Sequence, residues 1–125
     1  MALQQQNPFL SALSELYDSE RVNDVIEVWT KLLEQGYQQQ FLKSRNLMAR
    51  VCESGDMNLL EFLIANNFVF DKLCVYICSH YCEFVLLKRI LEYQPDVMEK
   101  VDLQHLMADV EDKEEVVDFF KNLKN

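Results

Sequence analysis

The chain has 125 residues, 50% of them apolar and 26% charged, with a formal net charge of −9. That length and composition describe one globular domain with its own core rather than a disordered segment. The charge excludes a nucleic-acid binder, since no basic stripe offsets repulsion by phosphates, and it disfavours anionic membrane surfaces.

Turn-forming residues are scarce: Gly36, Gly55, Pro8 and Pro95 are the only glycines and prolines. An all-β domain needs many more, so the expected fold class is all-α, helices joined by short loops. No apolar run approaches the ~20 residues that cross a bilayer, and the N-terminus lacks the basic and apolar regions of a secretory leader. Cys52, Cys74, Cys78 and Cys82 are therefore expected to stay reduced, in an intracellular, cytoplasmic setting.

Residues 1–7 read as a polar lead-in, and 8–125 as a single helical domain. Asn7-Pro8 is an N-cap followed by proline at the first helical position, where the missing N–H costs nothing. A helix through Phe9, Leu10, Leu13 and Leu16 should follow. The next is expected from about Glu20 to Gln35, stopping at Gly36 as a left-handed cap. A longer helix is expected from Tyr37 to Glu53, with Leu47, Val51 and Cys52 inward. Ser54-Gly55-Asp56 is the tight turn, and Asp56 caps a helix that Asn66-Asn67 closes. Asp71 then caps a helix through Leu73 and Ile77. A strand over Phe68–Cys78 competes there, because Val75-Tyr76-Ile77 is β-branched and aromatic. Phe84–Tyr93 forms the following helix, ended by Gln94-Pro95. Asp96-x-x-Glu99 and Asp112-x-x-Glu115 both fit capping boxes, flanking a short helix with Val101, Leu103, Leu106 and Met107.

One pattern recurs along this series. Leu59-Leu60-x-x-Leu63-Ile64 returns 27 residues later as Leu86-Leu87-x-x-Ile90-Leu91. Two apolar pairs with two spacers put four side chains on one broad helical face. An earlier copy, Val28-Trp29-x-x-Leu32-Leu33, precedes by 31 residues, and an imperfect one, Val116-Val117 with Phe119-Phe120, follows by 30. The terminal copy is expected to deviate, because one of its sides faces water. Trp29 falls in an inward pair and reads as core.

Gly55-Asp56-x-x-Leu59-Leu60-x-x-Leu63-Ile64-x-x-Asn67, with Val51-Cys52 ahead of it, resembles the second half of an ankyrin repeat. In that family glycine opens the outer helix, apolar pairs pack it inward and a left-handed residue closes it. The match covers about 20 residues. The Thr-Pro-Leu-His opening is absent, the Tyr81-Cys82 turn lacks glycine, and the spacings fall short of 33 residues. The shorter spacings leave no room for long β-hairpin fingers, so the expected architecture is an ankyrin-like α-solenoid of roughly eight helices in about four stacked antiparallel pairs. The resemblance implies a protein-binding surface free of catalytic chemistry.

The sharpest chemical pattern is Cys74-x-x-x-Cys78-x-His80-x-Cys82. The three cysteines fall along one helical stripe, and thiolates with an imidazole suit zinc. Structural zinc, however, usually takes a Cys-x-x-Cys knuckle on a turn. His80 would also point away from the stripe, and Cys serves well as a small core residue. The expected reading is therefore core cysteines, no metal and no cofactor. His80 and His105 are far apart, and neither a phosphate loop nor a nucleophile elbow occurs, so no enzyme is expected. The outward positions of the inner helices, Arg45, Met48, Arg50, Tyr76 and Tyr81, are the candidates for contacting a partner.

Residues 71–95 carry three charges of each sign, whereas 96–125 carry nine Asp/Glu against four Lys. The middle is expected to be more buried and the C-terminal part to be a solvated acidic face. A patch that steers a basic partner is the functional alternative. The sequence thus points to a protein–protein interaction module, an adaptor or host-factor-binding domain, monomeric or homodimeric. A zinc- or thiol-dependent regulatory domain centred on Cys74–Cys82, and a self-assembly unit joined through its terminal helices, are the alternatives.

Overall fold

A computed structural model describes residues 7–18, 20–110 and 112–123. The described residues form nine α-helices, one 3₁₀ helix and no strand. The helices are α1 (Pro8–Leu16), α2 (Val22–Glu34), α3 (Gln38–Leu42), α4 (Arg45–Ser54), α5 (Met57–Ala65), α6 (Leu73–His80), α7 (Phe84–Tyr93), α8 (Leu103–Asp109) and α9 (Glu114–Leu123). The 3₁₀ helix spans Pro95–Lys100. Consecutive helices pack as α1 on α2, α4 on α5 and α6 on α7. Across these pairs α1 meets α4 and α4 meets α6, while α2 meets α5 and α5 meets α7.

Local chemistry explains most boundaries. The Asn7 side chain accepts from the N–H groups of Phe9 and Leu10, at 2.9 and 3.3 Å, with Pro8 at the first helical position. Gly36 and Asn67 take positive φ, 97° and 65°, behind α2 and α5. The expected helix from Tyr37 to Glu53 is instead two helices, because Ser44 interrupts it. Its hydroxyl accepts from the Leu47 N–H at 3.0 Å and caps α4 from a non-helical backbone. The short α3 delivers Phe41, fully buried, into an aromatic cluster with Phe9, Phe62 and Phe68.

The turns ahead of Leu59 and Leu86 share a left-handed residue. Gly55 lies four residues before Leu59 with φ +68°, and Cys82 lies four before Leu86 with φ +57°. Cys82 thus adopts, at a steric cost, the left-handed turn that glycine makes freely. Asp56 caps α5 by accepting from the Leu59 N–H at 3.1 Å, whereas its counterpart Glu83 makes no such cap. The Glu83 carboxylate lies over Gly55, where an added Cβ would overlap it. Gly55→Ala is therefore expected to cost ~1–2 kcal/mol for the left-handed backbone plus the displacement of Glu83. Urea unfolding should give a smaller loss in a Glu83→Ala background, and equal losses would show that the overlap is relieved freely.

The segment after α5 is a folded-in loop, not the alternative strand. Phe68 and Phe70 are buried while Val69 is 70% exposed. The Gln94 side chain accepts from the Phe70 N–H at 2.9 Å and donates to its carbonyl at 2.6 Å. The Tyr93 hydroxyl donates to the Phe68 carbonyl at 2.9 Å. These bonds satisfy backbone groups that a strand partner would otherwise take. Asp71 accepts from the Leu73 N–H at 2.8 Å as α6 opens.

Two expected capping boxes are corrected. Asp96 belongs to the 3₁₀ helix, which has no side-chain cap, and Asp102 caps α8 by accepting from the His105 N–H at 3.1 Å. Proline at position 95 fixes the turn one residue too early for Asp96 to stand outside it. At α9 the residue before the first helical turn is Lys113, not Asp112. Side chains join the last two helices to the preceding pair. Phe119 stacks on Phe84 at 5.3 Å, and Tyr76 approaches the His105 ring edge-on at 6.3 Å. The Tyr76 hydroxyl accepts from the Asp102 N–H, and the Lys113 ammonium donates to the His80 carbonyl.

Candidate protein-binding face

An open cleft runs between α1 and α4. Pro8 and the Asn7 cap fix the start of α1, and the Asn7 amide donates to the Gln40 carbonyl at 2.7 Å, tying that end to α3. With Phe9, Ala12 and Leu13 buried, helical geometry turns Ser11, Ser14 and Glu15 outward. On α4 the buried stripe is Leu47, Met48, Val51 and Cys52. Asn46, Ala49, Arg50 and Glu53, spaced i, i+3, i+4 and i+7, form the opposite stripe. The two polar stripes and Leu10 enclose about 520 Å³. The cleft continues past Arg50 and Glu53 into a hollow of about 220 Å³ beside Leu13, Tyr17 and Ser54.

Its electrostatics are mild. The Arg50 Nε stands 4.0 Å from Glu53, both side chains being well exposed, and such pairs are worth ~0–1 kcal/mol. Neither group is committed to the other, so both are available to a ligand. The Tyr17 hydroxyl donates to Asp56 at 3.3 Å. Partial burial, then the neighbouring Asp56 charge, raise its pKa above the ordinary phenol value. Ala49 leaves the cleft floor free of bulk. Such a surface can accept polar and main-chain groups of a polypeptide through amide, hydroxyl, guanidinium and carboxylate contacts.

The five candidate contact residues separate. Arg50 lines the cleft. Arg45 is exposed but paired with Asp71, bridging α4 to the start of α6. Tyr81 is 51% exposed and lies outside the cleft; Tyr76 is half-buried and engaged with Asp102 and His105. Met48 is corrected: at 1% exposure it belongs to the core. Placing it outward overlooked that it adjoins Leu47 and precedes Cys52 by one turn, on the buried stripe. The α1 contribution to the cleft (Asn7, Ser11, Ser14, Glu15) was missed. Its signal is the Ser11, Ser14, Glu15 stripe opposite Phe9 and Leu13, which shows a polar face but not what faces it.

The candidate metal ligands do not converge. Cys74 and Cys78 are fully buried, Cys82 sits half-buried in the left-handed turn, and His80 is exposed, edge-on to Tyr81 at 4.8 Å. Among the described residues no three or more His, Cys, Asp or Glu side chains are grouped to hold a metal. Burial, then the neighbouring Cys52, push the Cys74 thiol pKa far up. Hydrogen bonding with the Cys52 thiol and then burial do the same to Cys78. Both remain neutral thiols, which are poor nucleophiles and poor ligands. No helix among the described residues is long and apolar enough to cross a membrane.

Beside them, Ser79 is fully buried and its hydroxyl has no hydrogen-bond partner among the described residues. Its counterpart 27 residues earlier is Cys52, so the slot calls for a small apolar side chain. Removing an unsatisfied buried hydroxyl recovers ~1–3 kcal/mol of desolvation, so Ser79→Ala should raise the urea midpoint. A lowered midpoint would mean that the hydroxyl has a partner in solution.

No protein-family model matches the chain, and neither a curated protein nor a solved structure is significantly similar to it.

Proposed function

We propose that the chain is a non-enzymatic protein-interaction module, an adaptor or host-factor-binding domain, built as an ankyrin-like stack of helix pairs without β-hairpin fingers. The observation that carries this reading is the open, polar cleft on the α1–α4 side of the inner helices. Support for the stack comes from the repeated left-handed turns at Gly55 and Cys82, and from helix contacts that join α1 to α4 to α6 and α2 to α5 to α7. Rigid helix pairs of this kind hold side chains in place before a partner arrives, which lowers the ordering cost of binding. The partner is another protein, met in a cytoplasmic compartment where the cysteines stay reduced.

Photo-crosslinking tests the reading. A benzoylphenylalanine at Ala49, on the cleft floor, should capture a partner that the same group at Lys88, exposed on α7, does not. The purified partner should then bind an Arg50→Glu variant at least ~10-fold more weakly, as for a central arginine contact. Equal capture from both positions, or unchanged affinity, would place binding elsewhere.

A further inference from the structure

The end of the helix series distal to α1 carries a second, chemically different surface. A groove of about 200 Å³ is lined by Leu103 and Met107 of α8 with Val117, Phe120 and Lys121 of α9. Its floor is apolar. What should cover it is readable from the repeat itself. Each inner helix presents adjacent residues inward, Leu47-Met48 on α4, Cys74-Val75 on α6 and Leu106-Met107 on α8. The outer helices α5, α7 and α9 do the same with Leu59-Leu60, Leu86-Leu87 and Val116-Val117, whereas on α2 Val28 is half-buried and Trp29 buried. The first member is buried in the other six pairs. The second member is buried at Met48, Val75, Leu60 and Leu87, where a further helix pair follows, but only half-buried at Met107 and Val117. Both of these residues line the groove. The half-buried positions are thus the ones that are fully covered in the earlier copies.

The surrounding charge selects among occupants. Glu114, one turn before Val117, and Asp118 beside it are two exposed carboxylates on α9, set against Lys121 in the groove lining. The stretch 96–125 carries nine acids against four lysines. A second copy docking through the same end would bring two acidic surfaces together, which like-charge repulsion opposes. We infer that the α8–α9 groove receives an amphipathic helix from another protein, with Leu- or Ile-type residues on one face and Lys or Arg flanking them. This surface rests on the stacked-pair reading but is separate from the α1–α4 cleft. Docking there follows the familiar mode of an apolar helical stripe laid into a groove, with the acidic rim steering its approach.

The test uses the full chain and two labelled synthetic helices of identical Leu/Ile pattern, one flanked by Lys and one by Glu, read by fluorescence anisotropy. The Lys-flanked peptide is expected to bind at least ~10-fold more tightly and to weaken with salt. Val117→Lys or Met107→Lys should abolish that binding, with circular dichroism confirming the fold. Glu114→Lys with Asp118→Lys, both on exposed positions, should reverse the preference toward the Glu-flanked peptide. The same reversal at Asp24 and Glu27 on α2 should leave it unchanged. Equal binding of both peptides, no binding of either, or equal sensitivity to the α2 reversals would overturn the proposal. So would a micromolar dimer, seen by native mass spectrometry, that Val117→Lys dissolves, since the face would then belong to a second copy. Loss at Arg50→Glu with no effect at Val117 would count against this groove alone and leave the α1–α4 reading standing.

Discussion

Trp29→Ala is expected to lower the unfolding free energy by ~3–5 kcal/mol, the range for truncating a large buried aromatic. Trp29 is completely buried, packs edge-on to Phe9 at 6.3 Å and against Phe62 at 5.5 Å, and donates its indole N–H to the Phe9 carbonyl at 3.0 Å. One side chain therefore ties α1, α2 and α5 together. Because small domains are stable by only ~5–15 kcal/mol, the variant should be close to unfolding at 37 °C. Trp29→Phe separates the contributions: it keeps most of the ring packing, loses the hydrogen bond and should cost ~1–2 kcal/mol. Urea titrations with unchanged slopes would measure both. A loss below ~1 kcal/mol for Trp29→Ala would mean the first helix pair contributes little to the core.

Alkaline pH should destabilise the chain more steeply than its surface composition suggests. Cys74 and Cys78 have pKa values raised in the folded protein, by burial and by hydrogen bonding with Cys52 respectively. In the unfolded chain a thiol ionises near pH ~8.5. Below that pH both states hold the proton and stability is complete. Above it the unfolded chain releases protons that the folded chain retains, so stability falls as pH rises. Each such thiol contributes up to ~1.4 kcal/mol per pH unit, and two contribute up to ~2.7. Unfolding measured under reductant between pH 8 and pH 9.5, before tyrosine and lysine titrate, should show this slope. Cys74→Ala should roughly halve it. A flat profile would mean that solvent reaches these thiols in the native state.

What was legible in the sequence was local. Asn7-Pro8, Gly36, Asp56 and Asn67 each act on backbone groups within a few residues, so their types alone placed the ends of α1, α2 and α5. The two-pair pattern at Leu59 and Leu86 placed α5 and α7, since burial along one helix follows its own periodicity. Ser44 was harder to read. A serine inside a continuous helical pattern caps only if the chain changes direction there, and that turn serves Phe41, whose ring must reach Phe9. Met48 failed similarly: its position was assigned by analogy with a concave face rather than by its spacing from Leu47 and Cys52. The cleft was illegible for a stronger reason. Its walls come from α1 and α4, and their mutual approach depends on packing that neither helix encodes alone.

The way α8 and α9 are attached has a mechanical consequence. The buried Leu106, Val110, Val116 and Phe120, the Phe119–Phe84 ring pair and two hydrogen bonds involving Tyr76 and Lys113 hold them to the rest of the core. From α2 as far as α7 a chain of touching rings runs from Trp29 through Phe62, Phe41, Phe68 and Phe70 to Tyr93. Under load the two ends are not equivalent. Tension applied through the C-terminus falls on contacts that can be broken a few at a time, so that end peels. Tension through the N-terminus must shear the interlocked rings together, so that end holds until the whole structure gives way. A protein seated on α8–α9 would bear on the compliant end, and by clamping it would stiffen the molecule along its length.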